Sequence, residues 1–337
     1  MKETYSRSKS VWQRMNARER KAAMAYGEKY KAFLDTARTE RLAAAEIIRR
    51  AEEKGFKPVY AMKSLKAGDK VYWNQKDKSV ILAVIGKEPV YEGIKIVGSH
   101  IDSPRLDLKA NPVHEQDGIV YFRTHYYGGI KKYQWTCIPL ALIGVVFTKD
   151  GKKVDINIGL KDSDPVFYVS DLLIHMAQDQ MKKTLAEGIT GEQLQAVAGT
   201  HSEEGQTPKD AIMALLKKEY GIEEEDFAAA ELELVPATKS RDVGFDRSLI
   251  ASYGQDDRVC SYANLEAILD AKPGVKTQAA LLTDKEEIGS YGNTGMESSY
   301  FVKFVMKLLA LQGQESLLDF YETCLLYTSP SPRDTER

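Results

Sequence analysis

Three short segments carry residues that can do chemistry together. The first, VGSHIDSPRLDLK (97–109), places His100 and Asp102 two apart, directly after the strand-like IKIVG. Along an extended chain, positions i and i+2 point to the same side. The imidazole can therefore bind a metal while the carboxylate orients it, the support that metal-bound histidines usually have. The second, GQDDRVCSYANLEAILD (254–270), sets Asp256 and Asp257 ahead of a helix with apolar periodicity. Carboxylates there cap a helix and complement its dipole, and one with two free oxygens can also bridge two cations. The third, TDKEEIGSYGNTG (283–295), runs from the apolar AALLT into Asp284, Glu286 and Glu287, then into a glycine-rich turn. Adjacent glutamates at a strand end lie where open α/β sheets keep their ligand sites. They repel one another unless a cation or a shared proton compensates; one can coordinate a metal while the other serves as general base. Singly, each segment has an ordinary explanation: a strand-end loop, a helix cap, a solvated charge pair. Together they offer one imidazole and several carboxylates but no thiolate, a donor set suited to zinc or cobalt.

Strands and helices must hold these segments in place. Residues 10–54 read as helix, with Trp12, Met15, Ala22, Met24, Tyr26, Tyr30, Phe33 and Leu34 at roughly helical spacing. The stretch 39–54 stops at Gly55. Strand-like segments follow at 70–73, 79–85 and 94–98, and the unbroken apolar VILAVI predicts a strand buried on both faces. From about 109 to 238 the character changes. IVYFRTHYY, PLALIGVVF and KVDINIG read as strands, 170–220 as a long polar helical stretch, and the acidic run 223–226 as a solvated turn or helix start. After Pro236 the α/β pattern returns, with a helix at 259–269, a strand at 278–283 and an apolar-faced helix at 298–311.

The chain of 337 residues suffices for two domains, or for one large domain with an insertion. With 47 basic and 49 acidic residues and a net charge of -2, it has no field that would draw nucleic acid or an anionic membrane. The longest apolar runs, such as 138–147, are too short to span a bilayer. MKETYSRSKS lacks the apolar core of a signal peptide. Three cysteines, at 137, 260 and 324, form no CxxC and no even-numbered framework, so a reducing cytoplasm is expected. The last fourteen residues differ from everything before them. CLLYTSPSPRD (324–334) resembles the translated end of a transposase adapter used in sequencing libraries. Segment 324–337 is therefore expected to be a sequencing-adapter artefact and is excluded from the fold reading, with the authentic chain stopping near Thr323.

SHIDSP, the DDR-plus-helix segment and EEIGSYGNTG, taken together over about residues 5–323, resemble the aspartyl aminopeptidase family, which includes vacuolar aminopeptidase I. The resemblance implies an α/β fold: a three-layer zinc-exopeptidase catalytic domain (1–108 plus 239–323) carrying an inserted β-rich dimerisation domain (109–238). It implies a metallo-aminopeptidase that hydrolyses the N-terminal residue, acidic by the family's name, from peptides. The water would be activated by two zinc ions, with cobalt or manganese able to replace one. Position by position, His100 matches a ligand of one zinc, and Asp102 the carboxylate that supports this histidine. Asp256 matches the bridging aspartate, with Asp257 in second place; Glu286 matches the general base and Glu287 a metal ligand. The family pattern also needs an aspartate some tens of residues beyond the glutamate pair and a histidine near the C-terminus. Asp319 falls short of that distance and no histidine follows His201, so the 337-residue chain is expected to turn over weakly or not at all. The family assembles from dimers into tetrahedral dodecamers, in which a neighbouring subunit's histidine reaches the active site. His175 is the best match for it, ahead of His114, His125 and His201. An acidic preference needs a cation, for which Lys131, Lys132 and Arg258 qualify by location, and the turn YYGGIKKY is placed to approach the site. The competing readings are a di-zinc exopeptidase of other specificity and a non-catalytic assembly or cargo protein of the same fold. An intact Glu286 weighs against the second.

Overall fold

The computed structural model describes residues 9–314 and the backbone of Leu325–Thr328. The helical N-terminal stretch is cut into α1 (Val11–Arg14), α2 (Ala17–Thr36) and α3 (Glu40–Glu53). Each cut falls at a residue whose side chain accepts a backbone N–H of the next helix: Ser10, Asn16 and Thr39. Strands β1 (Lys57–Pro58), β2 (Lys70–Gln75), β3 (Ser79–Val84) and β4 (Ile94–His100) follow. The chain then builds a separate sheet from β5 (Arg105–Gln116), β6 (Ile119–Tyr127), β7 (Pro139–Phe147), β8 (Lys153–Ile158), β9 (Phe167–Tyr168), β10 (Ala196–Gly199) and β11 (Ala230–Pro236). Helices α4 (Leu185–Gly188) and α5 (Pro208–Tyr220) lie within that stretch. A short hairpin, β12 (Arg241–Val243) and β13 (Leu249–Ala251), leads to α6 (Gln255–Leu269), β14 (Thr277–Thr283), α7 (Tyr300–Leu311) and β15 (Leu325–Thr328).

The first sheet runs β1-β2-β3-β14-β4-β15. Alternation along its central strands sorts the apolar side chains onto two faces, as the two-residue period of a strand requires. Val80, Leu82 and Val84, with Ala280 and Leu282, meet Phe33, Leu34, Ala44, Ile47 and Leu265 from α2, α3 and α6. Ile81 and Ala83, with Ala279 and Leu281, meet Phe304, Val305 and Leu308 of α7. Helices on both faces make three layers, and β3 is buried along its whole length as VILAVI predicts. β14 lies parallel to β4 with Thr283 opposite His100. The two metal-type segments thus leave the sheet side by side, although 183 positions separate their numbers (283 − 100).

The second sheet runs β11-β5-β6-β10-β9-β7-β8, and β11 also pairs with β7, which closes the sheet on itself. All its pairings are antiparallel. Closure leaves β5, β6 and β11 without an open edge, the usual hazard of an antiparallel sheet.

One expectation is corrected. Residues 170–220 are not one long helix: turns occupy most of 170–195, β10 follows, and α5 alone is a helix of several turns. Leu172, Leu173, Ile174, Met176, Met181 and Leu185 stay exposed, and a helix without a surface to pack its apolar stripe against is marginal. Leu325–Thr328 pairs in parallel with β4, because β4 offers an open edge and LLYT is a strong strand former. Asp319, Cys324 and residues 329–337 lie outside the described residues.

Gly144 supports the closure. Its φ is +145°, and a Cβ there would drive into the Glu231 carbonyl across the β7–β11 pairing. Gly144→Ala is expected to lower stability by about 2–5 kcal/mol, through backbone strain and overpacking. The check is the urea midpoint at constant m-value; an unmoved midpoint would contradict this register.

Candidate metal centre

His100 is the last residue of β4, and its neighbours hold it from below. The Ser261 hydroxyl donates to the His100 carbonyl at 2.5 Å, Arg258 Nη2 to the Ile101 carbonyl at 3.1 Å, and Asn264 Nδ2 to the Val97 carbonyl at 3.0 Å. These three side chains stand three residues apart on α6, so one face of that helix grips the end of β4. The grip places Asp256, in the first turn of α6, beside the same opening. Gly254 precedes the helix at φ +72°, and a Cβ there would collide with the Arg258 guanidinium. Arg258 is thereby corrected as a specificity candidate: it is fully buried and donates to backbone, out of reach of a substrate.

On the neighbouring strand, β14 ends at Thr283 and the chain makes a tight 3₁₀ turn through Glu286–Ile288. Lys285 and Ser290 take positive φ of 71° and 64°, with Gly289 at 93°. Non-glycine residues in that region cost free energy, and the surroundings must impose it. Here Asp284 anchors the turn: its N–H donates to Ser79 Oγ at 2.9 Å, and its carboxylate accepts from Thr294 Oγ1 at 2.6 Å. Burial, with the charges of Glu40 and Asp102, pushes the Asp284 carboxyl up to about 7.

Asp102 joins the two strand ends. It is fully buried, and its oxygens take four donors. Oδ1 lies 3.2 Å from His100 Nδ1 and accepts from the Glu286 N–H at 3.2 Å. Oδ2 accepts from the Tyr127 hydroxyl at 2.7 Å and the Glu287 N–H at 3.2 Å. Burial alone would push this carboxyl up, but the hydrogen bond and charge of His100, with Tyr127 and the Glu287 amide, outweigh it and hold Asp102 below the ordinary carboxylate range. With Nδ1 turned to Asp102, the imidazole directs Nε2 outward, 3.6 Å from Glu286 Oε2.

His100, Glu286 and Glu287 each present one donor atom, and these three atoms lie within 4.8 Å of one another. Glu287 shows what such a gathering costs. Burial raises its carboxyl, the Asp102 charge raises it further against the help of His100, and Glu286 and Asp256 add to the push, bringing it to about 7. An imidazole with crowded carboxylates fits a divalent cation, whose charge would relieve the repulsion. Of the residues marked from sequence, the structure brings His100, Asp102, Glu286 and Glu287 into one cluster. Asp256 stands at its rim, exposed, outside the 4.8 Å group but close enough to raise Glu287. The Asp257 side chain lies outside the described residues. His175 is not in the cluster; it sits on an exposed turn.

Sequence reading named the turn that holds Tyr127 and Gly128 but gave neither residue a role. The YYGGIKKY turn does approach the site: a Cβ on Gly128, at φ +73°, would sit 3.1 Å from both Cβ and Oε2 of Glu287. The glycine pair was the available signal, since close backbone approach is one reason to keep a glycine. Nothing local marks Tyr127, whose partner lies 25 residues away.

The family model described as aminopeptidase I zinc metalloprotease (M18) matches residues 33–328. The probable M18 family aminopeptidase 1 of Clostridium acetobutylicum is 47% identical over 313 residues, covering 90% of this chain and 67% of the relative. A crystal structure of an M18-family aminopeptidase from Thermotoga maritima superposes with a TM-score of 0.89 at 40% identity, covering 94% of this chain and 71% of that one. The S. cerevesiae mApe1 dodecamer shares the fold, with a TM-score of 0.69 at 17% identity over 89% of this chain and 70% of that one. No helix among the described residues is long and apolar enough to cross a membrane. The chain belongs to the M18 family of zinc metallo-aminopeptidases.

Proposed function

We propose that this chain supplies the catalytic groups for removing the N-terminal residue of peptides at the centre built by His100, Asp256, Glu286 and Glu287. The observation that carries the reading is the junction at Asp102, where one carboxylate orients His100 and fixes the backbone of both glutamates. In this reading His100, Asp256 and Glu287 would hold metal, two zinc ions by the family resemblance, one of which cobalt or manganese could replace. The bound metal supplies polarisation of the scissile carbonyl and acidification of the attacking water. Glu286, the remaining carboxylate, accepts the proton from that water and passes it to the departing amine. Asp102 keeps the imidazole turned so that Nε2 faces the metal side.

A cleft of about 610 Å³ opens beside Asp256, with Ser103, Lys131 and Trp135 in its lining. We assign it to the peptide, with Lys131 as the cation for an acidic residue. Lys132 is less well placed, lying 6.0 Å from the Tyr126 ring. We further assign residues 1–108 and 239–323 to catalysis and 109–238 to assembly. The exposed apolar turn holding Leu172, Leu173, Ile174 and Met176 supports packing against a second copy, in dimers that build a dodecamer. That packing would carry His175 to the neighbour's site. Cys137, in no disulfide among the described residues, suits a reducing cytoplasm.

Glu286→Gln is expected to keep its zinc while lowering whatever turnover the wild-type chain shows by about 10²- to 10⁴-fold, whereas Glu287→Gln and His100→Ala lose zinc. Metal analysis alongside hydrolysis of aminoacyl chromogens, with and without chelator, separates these outcomes. Loss of zinc from Glu286→Gln would reverse the roles of the two glutamates.

The raised carboxyls of Glu287 and Asp284 fix a pH dependence for the metal-free protein. Both release their protons earlier when unfolded, so the unfolded state binds fewer protons between the ordinary carboxylate range and about pH 7. Their contribution to stability is therefore present at low pH and lost as pH rises through that window. Melting curves in chelator are expected to show this decline, reduced in Glu287→Gln, and zinc added at pH 7.5 should reverse it. A Glu287→Gln protein with the same decline as wild type would remove Glu287 as its source.

A further inference from the structure

We propose that Tyr127 is a positioning residue of the metal centre. Its hydroxyl locks the Asp102 carboxylate in the single orientation that serves His100 and both glutamate amides, and Arg105 in turn holds Tyr127. The proposal rests on the metal-binding role given above to His100 and Glu287.

Asp102 has to satisfy four donors with two oxygens, and rotation about its carboxylate torsion exchanges which oxygen faces which donor. That torsion is soft in a free aspartate. Of the four contacts the shortest is Tyr127 OH at 2.7 Å; the other three are each 3.2 Å. The tyrosine also comes from a different part of the fold. It ends β6 of the closed second sheet, whereas His100, Glu286 and Glu287 come from the first sheet and the turn after it. Without the hydroxyl, Oδ2 retains one 3.2 Å contact, to the Glu287 amide, and the carboxylate is left with three contacts of 3.2 Å and without its shortest one.

The ring is fixed as firmly as its oxygen. The Arg105 guanidinium carbon lies 3.8 Å from the ring centroid, and Lys285 Nζ lies 5.9 Å from it. Arg105 is itself anchored, with Nη1 3.3 Å from Glu40, and Nε 2.8 Å from Asp107 and 3.3 Å from Glu233. Glu40 belongs to α3, Arg105 and Asp107 to β5, and Glu233 to β11. A continuous line of contacts therefore runs from the seam between the two sheets, through Arg105 and Tyr127, to Asp102.

The test is Co²⁺ titration of the 337-residue protein, followed by visible d–d absorption, for wild type, Tyr127→Phe, Asp102→Asn and the double variant. Phenylalanine keeps the ring against Arg105 and removes only the hydroxyl. Tyr127→Phe is expected to bind Co²⁺ about 10- to 100-fold more weakly, the usual effect of losing a partner of a ligand's support, with an altered d–d band and unchanged melting in chelator. Because the tyrosine acts through Asp102, the double variant should bind no more weakly than Asp102→Asn alone. Wild-type affinity in Tyr127→Phe, with or without a lowered melting point, would overturn the proposal, as would losses that multiply in the double variant. If Tyr127→Phe does not fold, Arg105→Lys, which keeps the charge but not the flat face, must weaken Co²⁺ binding in the same direction, and unchanged affinity there refutes the proposal equally. Absence of Co²⁺ binding by wild type sinks the metal-centre reading and this proposal together; equal binding by both proteins sinks this proposal alone.

Discussion

Everything at this centre depends on one buried carboxylate. Asp102 has no access to solvent, so an ionised state there is tolerable only if hydrogen bonds replace the lost water. The fold provides four donors, and three of them belong to the groups that would face metal and substrate: the His100 imidazole and the Glu286 and Glu287 amides. Satisfying Asp102 and building the centre are therefore the same event. A carboxylate that lost its donors would take up a proton, and the imidazole and glutamate turn would lose their common reference point.

The constraint reaches the backbone. Lys285 and Ser290 sit in left-handed conformations on either side of the glutamate pair, a geometry that local propensity disfavours. Asp284 and Asp102 hold the turn from its two sides, through Ser79, Thr294 and the paired amides. The result crowds Glu286 and Glu287 toward Asp102 and Asp256, and the raised Glu287 carboxyl records the repulsion. Strain and like charge concentrated at one spot mark where a fold has been arranged for a ligand rather than for its own stability.

The second sheet also contributes to the centre. Tyr127 and Gly128, at the end of β6, reach Asp102 and Glu287. The seam between the sheets holds two fully buried glutamates. Burial and the neighbouring Glu40 and Asp107 charges push Glu233 far up against the pull of Arg105, while Arg105 and Lys78 overcome burial to hold Glu40 down. Arg105 lies between the two, 3.3 Å from each.

The sequence by itself determined the elements and the chemical vocabulary. VILAVI reads as a strand buried on both faces because every one of its residues is apolar; AALLT reads as a strand ending in acids; His100, Glu286 and Glu287 stand out only in combination, since each segment alone has an ordinary explanation. Sequence also overreached where it had only local propensity to go on. The 170–195 stretch looks helical, yet Leu172, Leu173, Ile174, Met176, Met181 and Leu185 stay exposed, while Ile189 and Leu194 pack into the second sheet's core. Arg258 looks available beside Asp256, yet lies buried under Gly254. What the tertiary structure alone decided is adjacency. The parallel register of β4 with β14 sets His100 beside the glutamate turn, the grip of α6 on β4 brings Asp256 to the rim, and Tyr127 reaches Asp102 from another sheet. These are contacts between residues far apart in the chain or in different sheets. Their geometry depends on how whole elements pack, and no pattern in a short window of sequence encodes it.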